Sequence, residues 1–135
     1  MILMKYLIHF LLTVPVFFAV DLIWLGWLGR PLYKKYIGHL LAENVNWTAA
    51  IIFYLLFIIG IMVFAVYPAL KLDKLSYALG YGALFGFFTY MTYELTNMAV
   101  IKDWSWSIVP IDILWGVVLC TAVSAGSFFI GKWLW

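Results

Sequence analysis

The sequence predicts an all-α integral membrane protein, in which four transmembrane helices form an up-down bundle and a short amphipathic interfacial helix lies between helices 1 and 2. The first observation is composition, because 67% of the 135 residues are apolar and only 10% are charged, against about 25% charged residues in a soluble domain. The second is four apolar stretches, each reaching the roughly 20 residues that cross a bilayer. The third is a helical repeat of apolar and basic residues between the first two stretches.

The four spans are expected at about residues 6–29, 48–70, 76–101 and 110–134 of a single transmembrane domain, residues 1–135. Pro110 suits the first turn of the fourth helix, where its missing N–H costs nothing. Lys and Arg divide equally between the two ends of the predicted bundle, so the positive-inside rule assigns no orientation. The basic residues at the two ends are Lys5, Lys71, Lys74 and Lys132, and Arg30, Lys34, Lys35 and Lys102.

The interfacial helix is expected at about residues 32–42. Its apolar face comprises Leu32, Tyr33, Tyr36, Ile37, Leu40 and Leu41. Lys34 and Lys35 fall on the opposite face, so we expect them to point to water or lipid headgroups while the helix partly covers the interior of the bundle. The alternative is a linker that happens to be helical.

Composition and motifs exclude several classes of function. A net charge of +2 is too small to indicate a nucleic-acid partner, and the single cysteine, Cys120, cannot form an internal disulfide. The sequence contains no Ser-His-Asp arrangement, C-x-x-C pair, His-rich box or phosphate loop. We therefore expect no metal and no cofactor, and a non-enzymatic role is favoured over catalysis.

Two similar stretches place an Asp three residues before a Trp, in VDLIWLG (Asp21, Trp24) and IDILWGV (Asp112, Trp115). Because successive spans alternate in direction, the end of the first helix and the start of the fourth lie on the same side. Asp21 is then about 12 Å deep, and Glu94 on the third helix about 9–10 Å deep, at about 1.5 Å per residue. All three acids are therefore expected in one half of the membrane.

Three carboxyl groups in the bilayer need compensation, since a central Asp costs about 2.5–3.5 kcal/mol to insert. The span interiors contain no Lys or Arg. The acids could share protons with one another, meet basic side chains of the interfacial helix, or accept a hydrogen bond from Asn97. A functional site and a structural hydrogen-bond network both fit Asp21 and Glu94, whereas Asp112 could simply cap its helix.

Small residues predict that the third and fourth helices pack closely. Gly82 and Gly86 form a G-x-x-x-G pair on the helix face that also carries Tyr90, Glu94 and Asn97. The matching face of the fourth helix comprises Asp112, Gly116, Cys120 and Ser124. The second helix is expected to be a lipid-facing wall, His9 an interfacial or packing histidine near the opposite face, and most tryptophans members of interfacial belts.

The order of the blocks VDLIWLG, RPLYKKYIGHLL, NW, YELTN and IDILWG resembles a bacterial family of small predicted membrane proteins filed as a domain of unknown function. The resemblance spans nearly the whole chain. It implies four transmembrane helices, a multi-pass location in the bacterial inner (cytoplasmic) membrane, and no assigned activity. A looser similarity to small multidrug resistance exporters rests on short helices, balanced charge and a buried acid, and it stops at the level of the fold.

Three functions are compatible with these patterns. The first is binding or transport of a small amphiphilic or cationic ligand in a half-membrane pocket, with proton exchange at an acid as a means of coupling. The second is an accessory or assembly subunit of a larger membrane complex, and the third, less favoured, is a lipid-modifying enzyme. Membrane lipids are the expected surroundings, with a homodimer or larger complex as further partners. The expected site residues are Asp21, Trp24, Tyr90, Glu94, Asn97, Asp112 and Trp115.

Overall fold

The computed structural model describes all 135 residues, and every regular element in it is helical. The elements in chain order are α1 (Ile2–Ile23), a π-helical segment (Trp24–Leu28), α2 (Arg30–Ile37), a 3-10 turn (Gly38–Leu40), α3 (Trp47–Ile61), a second π-helical segment (Met62–Val66), α4 (Tyr67–Leu72), α5 (Leu75–Val100) and α6 (Ile108–Leu134). The π-helical segments continue their neighbours without a break. The chain therefore forms four long helical rods and one short connecting helix, α2.

Three of the four rods, Ile2–Leu28, Trp47–Leu72 and Ile108–Leu134, are long and apolar enough to cross a membrane. The fourth rod, α5, is equally long at 26 residues. It is less apolar because glycine, tyrosine and threonine occupy many positions that hold aliphatic residues in the other rods. The helix expected at residues 32–42 forms only in part, because α2 ends at Ile37 and only a 3-10 turn follows it.

α6 is the centre of the bundle, and both α1 and α5 run antiparallel to it. His9 and Asp21 of α1 contact Ser127 and Trp115 of α6, respectively. Along α5, Gly82 lies beside Ser124, which is near the same end as Ser127. α1 and α5 are therefore parallel to each other, and their C-terminal ends lie where α6 begins.

The predicted close approach of α5 and α6 is present. A Cβ atom added to Gly82 would lie 2.6 Å from Ser124 Oγ and 2.8 Å from the Cys120 carbonyl oxygen. A Cβ atom at Gly86 would collide with the backbone of Gly116. Both glycines are needed because the two backbones leave no room for a side chain, as in other membrane helix pairs built on small residues.

The second rod does more than face lipid. Its fully buried Ile58, Ile61 and Val66 pack with Phe17 of α1 and Leu119 of α6 in the main apolar cluster. The opposite face of the rod exposes large apolar side chains such as Ile52, Leu56 and Phe64. The rod therefore presents one apolar face to the outside and packs the other into the bundle.

A small polar network joins α1 to α6 at the end of the bundle opposite the acids. His9 is fully buried, and its Nε2 lies 2.8 Å from the Ser127 carbonyl oxygen and 3.0 Å from Ser127 Oγ. Thr13 Oγ1 lies 2.8 Å from the same hydroxyl and donates to the His9 carbonyl oxygen. His9 is thus a buried residue that packs between the helices.

Replacing Gly86 by Ala is expected to destabilise the bundle by about 1–3 kcal/mol, because the new methyl group overpacks a backbone contact. Gly80→Ala is the matched control on the same helix, since nothing lies within 4 Å of the position of its Cβ atom. Thermal unfolding in detergent should show a lower midpoint for Gly86→Ala and an equal or higher one for Gly80→Ala. Equal midpoints for the two variants would contradict the close packing of α5 against α6.

Candidate functional site

A cavity of about 590 Å³ opens at the end of the bundle where α1 and α5 finish and α6 begins. Twelve of its sixteen lining residues are hydrophobic. Carboxyl groups from three helices, Asp21, Glu94 and Asp112, line it, and all three residues are at least 96% buried, with exposures of 4%, 0% and 3%. The acids of α1, α5 and α6 therefore meet at one cavity.

The two D-x-x-W stretches are interlocked. The indole rings of Trp24 and Trp115 stack with their centroids 4.9 Å apart and their planes 9° from parallel. Trp115 Nε1 lies 3.4 Å from Asp21 Oδ1, so the tryptophan of one stretch donates to the acid of the other.

Asp112, the acid of the second D-x-x-W stretch, is linked to Trp24 through the hydroxyl of Tyr33. Trp24 Nε1 donates to Tyr33 Oη at 2.8 Å, and the Tyr33 hydroxyl in turn donates to Asp112 Oδ1. Burial, together with the nearby Asp112, raises the pKa of the Tyr33 phenol, so this group remains a protonated donor. Asp21 and Asp112 therefore each accept a hydrogen bond from an aromatic side chain, and α2 contributes Tyr33 to the cavity.

Glu94 has a different donor. Trp104, in the connection between α5 and α6, is 8% exposed and donates from Nε1 to Glu94 Oε2 at 2.8 Å. The other carboxyl oxygen, Oε1, is buried and has no hydrogen-bond partner. Asp112 lines the same cavity as Glu94.

An apolar cluster lies beside the acids at this end of the bundle. Ile37 of α2 and Trp104 pack with Ile108 and Val109 at the start of α6. Arg30, Lys34 and Lys35 are exposed, and none of them pairs with an acid of the cavity. The acids are thus held by neutral aromatic donors instead of the basic side chains considered from the sequence.

The backbone at the end of the first rod has a π-helical turn beside the cavity. Gly29 closes this turn by donating its N–H to the Trp24 carbonyl oxygen at 2.6 Å. A Cβ atom at Gly29 would lie 2.6 Å from Trp24 Nε1, so the indole occupies the space of a side chain. This turn positions Trp24 against both Tyr33 and Trp115, and such π-helical turns are frequent at functional sites.

Six of the seven expected site residues line the cavity, namely Asp21, Trp24, Tyr90, Glu94, Asp112 and Trp115. Asn97 lies one turn beyond Glu94 and does not line it. The capping interpretation of Asp112 is wrong, because α6 starts at Ile108, its first turn contains no acid, and no side chain caps it. Asp112 instead accepts from Tyr33.

Five lining residues with polar side-chain atoms were not among the expected site residues, namely Tyr33, Tyr54, Thr89, Tyr93 and Trp104. Three of these aromatic residues come from segments for which the sequence predicts other roles. The sequence predicts that Tyr33 lies on the apolar face of a surface helix and that Tyr54 lies on the lipid-facing second helix, and Trp104 is one of the tryptophans suited to an interfacial belt. These three side chains each carry an O–H or N–H group on an aromatic ring, and each lies near a buried acid that needs a hydrogen-bond donor. Sequence spacing could not find them, since they come from other segments of the chain.

A metal centre has no geometric support, because no group of three His, Cys, Asp or Glu side chains is arranged to hold an ion. The carboxyl groups can instead accept hydrogen bonds or attract a cation.

The comparison with known families agrees with the fold. The model of the family described as predicted membrane protein (DUF2177) matches residues 6–129, which is nearly the whole chain. The protein therefore belongs to this membrane protein family, whose function is unknown, and the resemblance seen in its sequence blocks is confirmed. No curated protein and no solved structure gives a significant match.

Replacing Tyr33 by Phe is expected to cost about 1–3 kcal/mol, because it leaves the half-buried Trp24 N–H and an Asp112 oxygen without their shared partner. Tyr36→Phe is the matched control, since Tyr36 lies on the same helix and its hydroxyl joins neither side chain. Thermal unfolding of Tyr33→Phe, of Asp112→Asn and of the double variant that carries both changes should reveal coupling between Tyr33 and Asp112. Strict additivity of their effects would contradict the hydrogen bond.

Proposed function

We propose that this protein is a four-span membrane protein that binds or transports a small amphiphilic or cationic ligand in the carboxylate cavity. The observation that carries the proposal is the convergence of three buried acids from three helices on one cavity lined by no Lys or Arg. Intramembrane acids usually mark functional sites because they are costly to keep there. A volume of about 590 Å³ falls in the range of small-molecule sites, roughly 300–1,000 Å³.

The chemistry of the lining favours a cation with an apolar part. Carboxyl groups attract positive charge, and the apolar and aromatic surface of Leu25, Phe53 and Phe57 accepts a hydrocarbon chain or ring. An anionic ligand would meet like charge, and a strongly polar neutral solute would lose hydration without enough partners. In the transport form of this proposal, proton exchange at Asp21 or Glu94 couples ligand movement to a proton gradient.

The proposal treats α5 as a fourth span and α2 as a helix at the membrane surface. An ion pair between Lys132 and Asp73 brings the end of α6 beside the loop before α5. At the opposite end, His39 Nε2 lies 3.3 Å from the Asp103 carbonyl oxygen, so the segment after α2 meets the loop after α5. α5 thus extends between the same two ends as its neighbours, and the exposed basic residues of α2 suit lipid headgroups. The bacterial inner membrane, with several passes, is the location that the family resemblance implies.

Four spans predict a definite pattern of accessibility. In a Cys120→Ala background, Glu43→Cys and Lys102→Cys should react with an impermeant maleimide from one side of the membrane, and Lys5→Cys and Lys71→Cys from the other. All four positions are exposed. If α5 did not cross the membrane, the sites at 71 and 102 would react from the same side.

Ligand binding can be tested by calorimetry in nanodiscs, with empty nanodiscs as the blank. Octylammonium and octyltrimethylammonium serve as cations, and octanol and octanoate as neutral and anionic probes with the same chain. At least one cation should bind more tightly than both other probes. Asp21→Asn and Glu94→Gln should weaken cation binding about tenfold, which corresponds to about 1.4 kcal/mol for a lost charge interaction.

Asp103→Asn and Glu43→Gln are the matched controls, because they remove the same charges from exposed loop positions outside the cavity. They should leave cation binding unchanged. Equal binding of all probes, or equal effects of the cavity and loop variants, would show that the acids are structural.

An accessory role in a larger complex is the alternative, and a homodimer is its simplest form. The G-x-x-x-G pair offers no free surface to another subunit, because it is occupied by α6 within the chain. Native gels after gentle extraction address this role directly, since comigration with other proteins together with no cation binding would favour it. A lipid-modifying activity ranks below both, since the cavity presents carboxyl groups and no arrangement of metal ligands.

A further inference from the structure

We infer that the ligand's cationic head is a hydrogen-bond donor, a primary ammonium group on an apolar chain, and not a quaternary ammonium group. This inference rests on the proposed function and concerns the same cavity. It is carried by Glu94, which is fully buried and lines the cavity while its Oε1 atom has no hydrogen-bond partner. A buried acceptor without a donor is costly, and the cost is recovered when a ligand supplies an N–H.

Three aromatic donors of the cavity each bind a carboxyl oxygen other than this one. Trp104 donates to Glu94 Oε2, Trp115 to Asp21, and Tyr33 to Asp112. Asp112 lines the same cavity as Glu94, and no Lys or Arg lines it. The cavity therefore holds further acidic groups and offers the free oxygen no cation. A primary ammonium has three N–H donors and can engage both acids.

The three tryptophans of the lining do not form the kind of cage that selects quaternary ammonium groups. Such a cage needs several ring faces turned toward one point. Trp24 and Trp115 instead stack on each other, so each covers one face of its neighbour. Trp104 directs its N–H at Glu94 and meets Tyr93 edge to face, at 87°. Hydrogen bonding to the carboxyl groups is thus the stronger source of selectivity.

The same chemistry has two sources in a membrane, a free long-chain amine or the headgroup of an aminophospholipid. Both present a primary ammonium at the end of an apolar body. Nanodiscs of phosphatidylcholine alone and of phosphatidylcholine with phosphatidylethanolamine separate them. If the lipid headgroup occupies the cavity, added octylammonium should bind more weakly in the second type of disc. If a free amine is the ligand, its binding should be the same in both.

The decisive experiment compares octylammonium with octyltrimethylammonium on the complete protein in phosphatidylcholine nanodiscs. The wild-type protein should prefer octylammonium by about tenfold or more, as for a charged hydrogen bond. Glu94→Gln should abolish this preference, because the amide can keep the bond from Trp104 with its oxygen and then turns an NH2 donor toward the ligand. Asp21→Asn should weaken the binding of both cations by similar factors and keep the preference for octylammonium, since it removes a charge without changing Glu94 Oε1.

The outcomes separate the inference from the proposed function. Equal affinity of the two cations, or preference for the trimethyl form, would overturn the inference while carboxylate-dependent binding still supported a cation site. The same preference in wild type and Glu94→Gln would also overturn it, because Oε1 would then not be the selecting atom. Failure of both cations to bind a folded protein would overturn the inference and the proposed function together. Circular dichroism and thermal unfolding establish that each variant is folded.

Discussion

Three carboxyl groups must be kept inside a bundle that has no internal Lys or Arg, and much of the structure follows from this constraint. An isolated acid in an apolar layer is costly, so each acid needs a donor that is itself neutral. Indole and phenol groups meet this need, because they combine a large apolar body with one N–H or O–H. Trp115, Tyr33 and Trp104 each donate to one acid.

The same constraint explains why distant segments of the chain meet at one end of the bundle. Asp21 and Trp24 lie on one helix, and their partners Trp115 and Asp112 on another, so the stack of the two indoles fixes the relative depth of α1 and α6. Gly82 and Gly86 then allow α5 to approach α6 closely enough for Glu94 to reach the same cavity. The connecting segments complete it, since α2 supplies Tyr33 and the loop after α5 supplies Trp104. Small residues and aromatic donors thus act together on one site.

Much of this arrangement was predictable from residue patterns. Apolar length located the rods to within a few residues, and alternation of direction placed Asp21, Glu94 and Asp112 at one end. The roles of Tyr33 and Trp104 were not predictable, because periodicity describes one helix at a time and does not say where a connecting segment folds back. The early end of α2 at Ile37 precedes Gly38, a poor helix former, and the π-helical turn at Trp24 has no recognised sequence signal. The face of the second rod that packs into the bundle could not be predicted, because both faces of this helix are apolar. The sequence therefore does not distinguish the face toward the core from the face toward lipid.

The central claim is that acids from three helices surround one open cavity instead of filling a packed core. An experimental structure of the protein in lipid nanodiscs tests it most directly. The account predicts stacked rings of Trp24 and Trp115, with Asp21, Glu94 and Asp112 turned inward on the same side of the midplane and density for solvent or a ligand between them. Asp21 or Glu94 facing lipid, or the acids closed off by packed side chains with no space between them, would contradict the account.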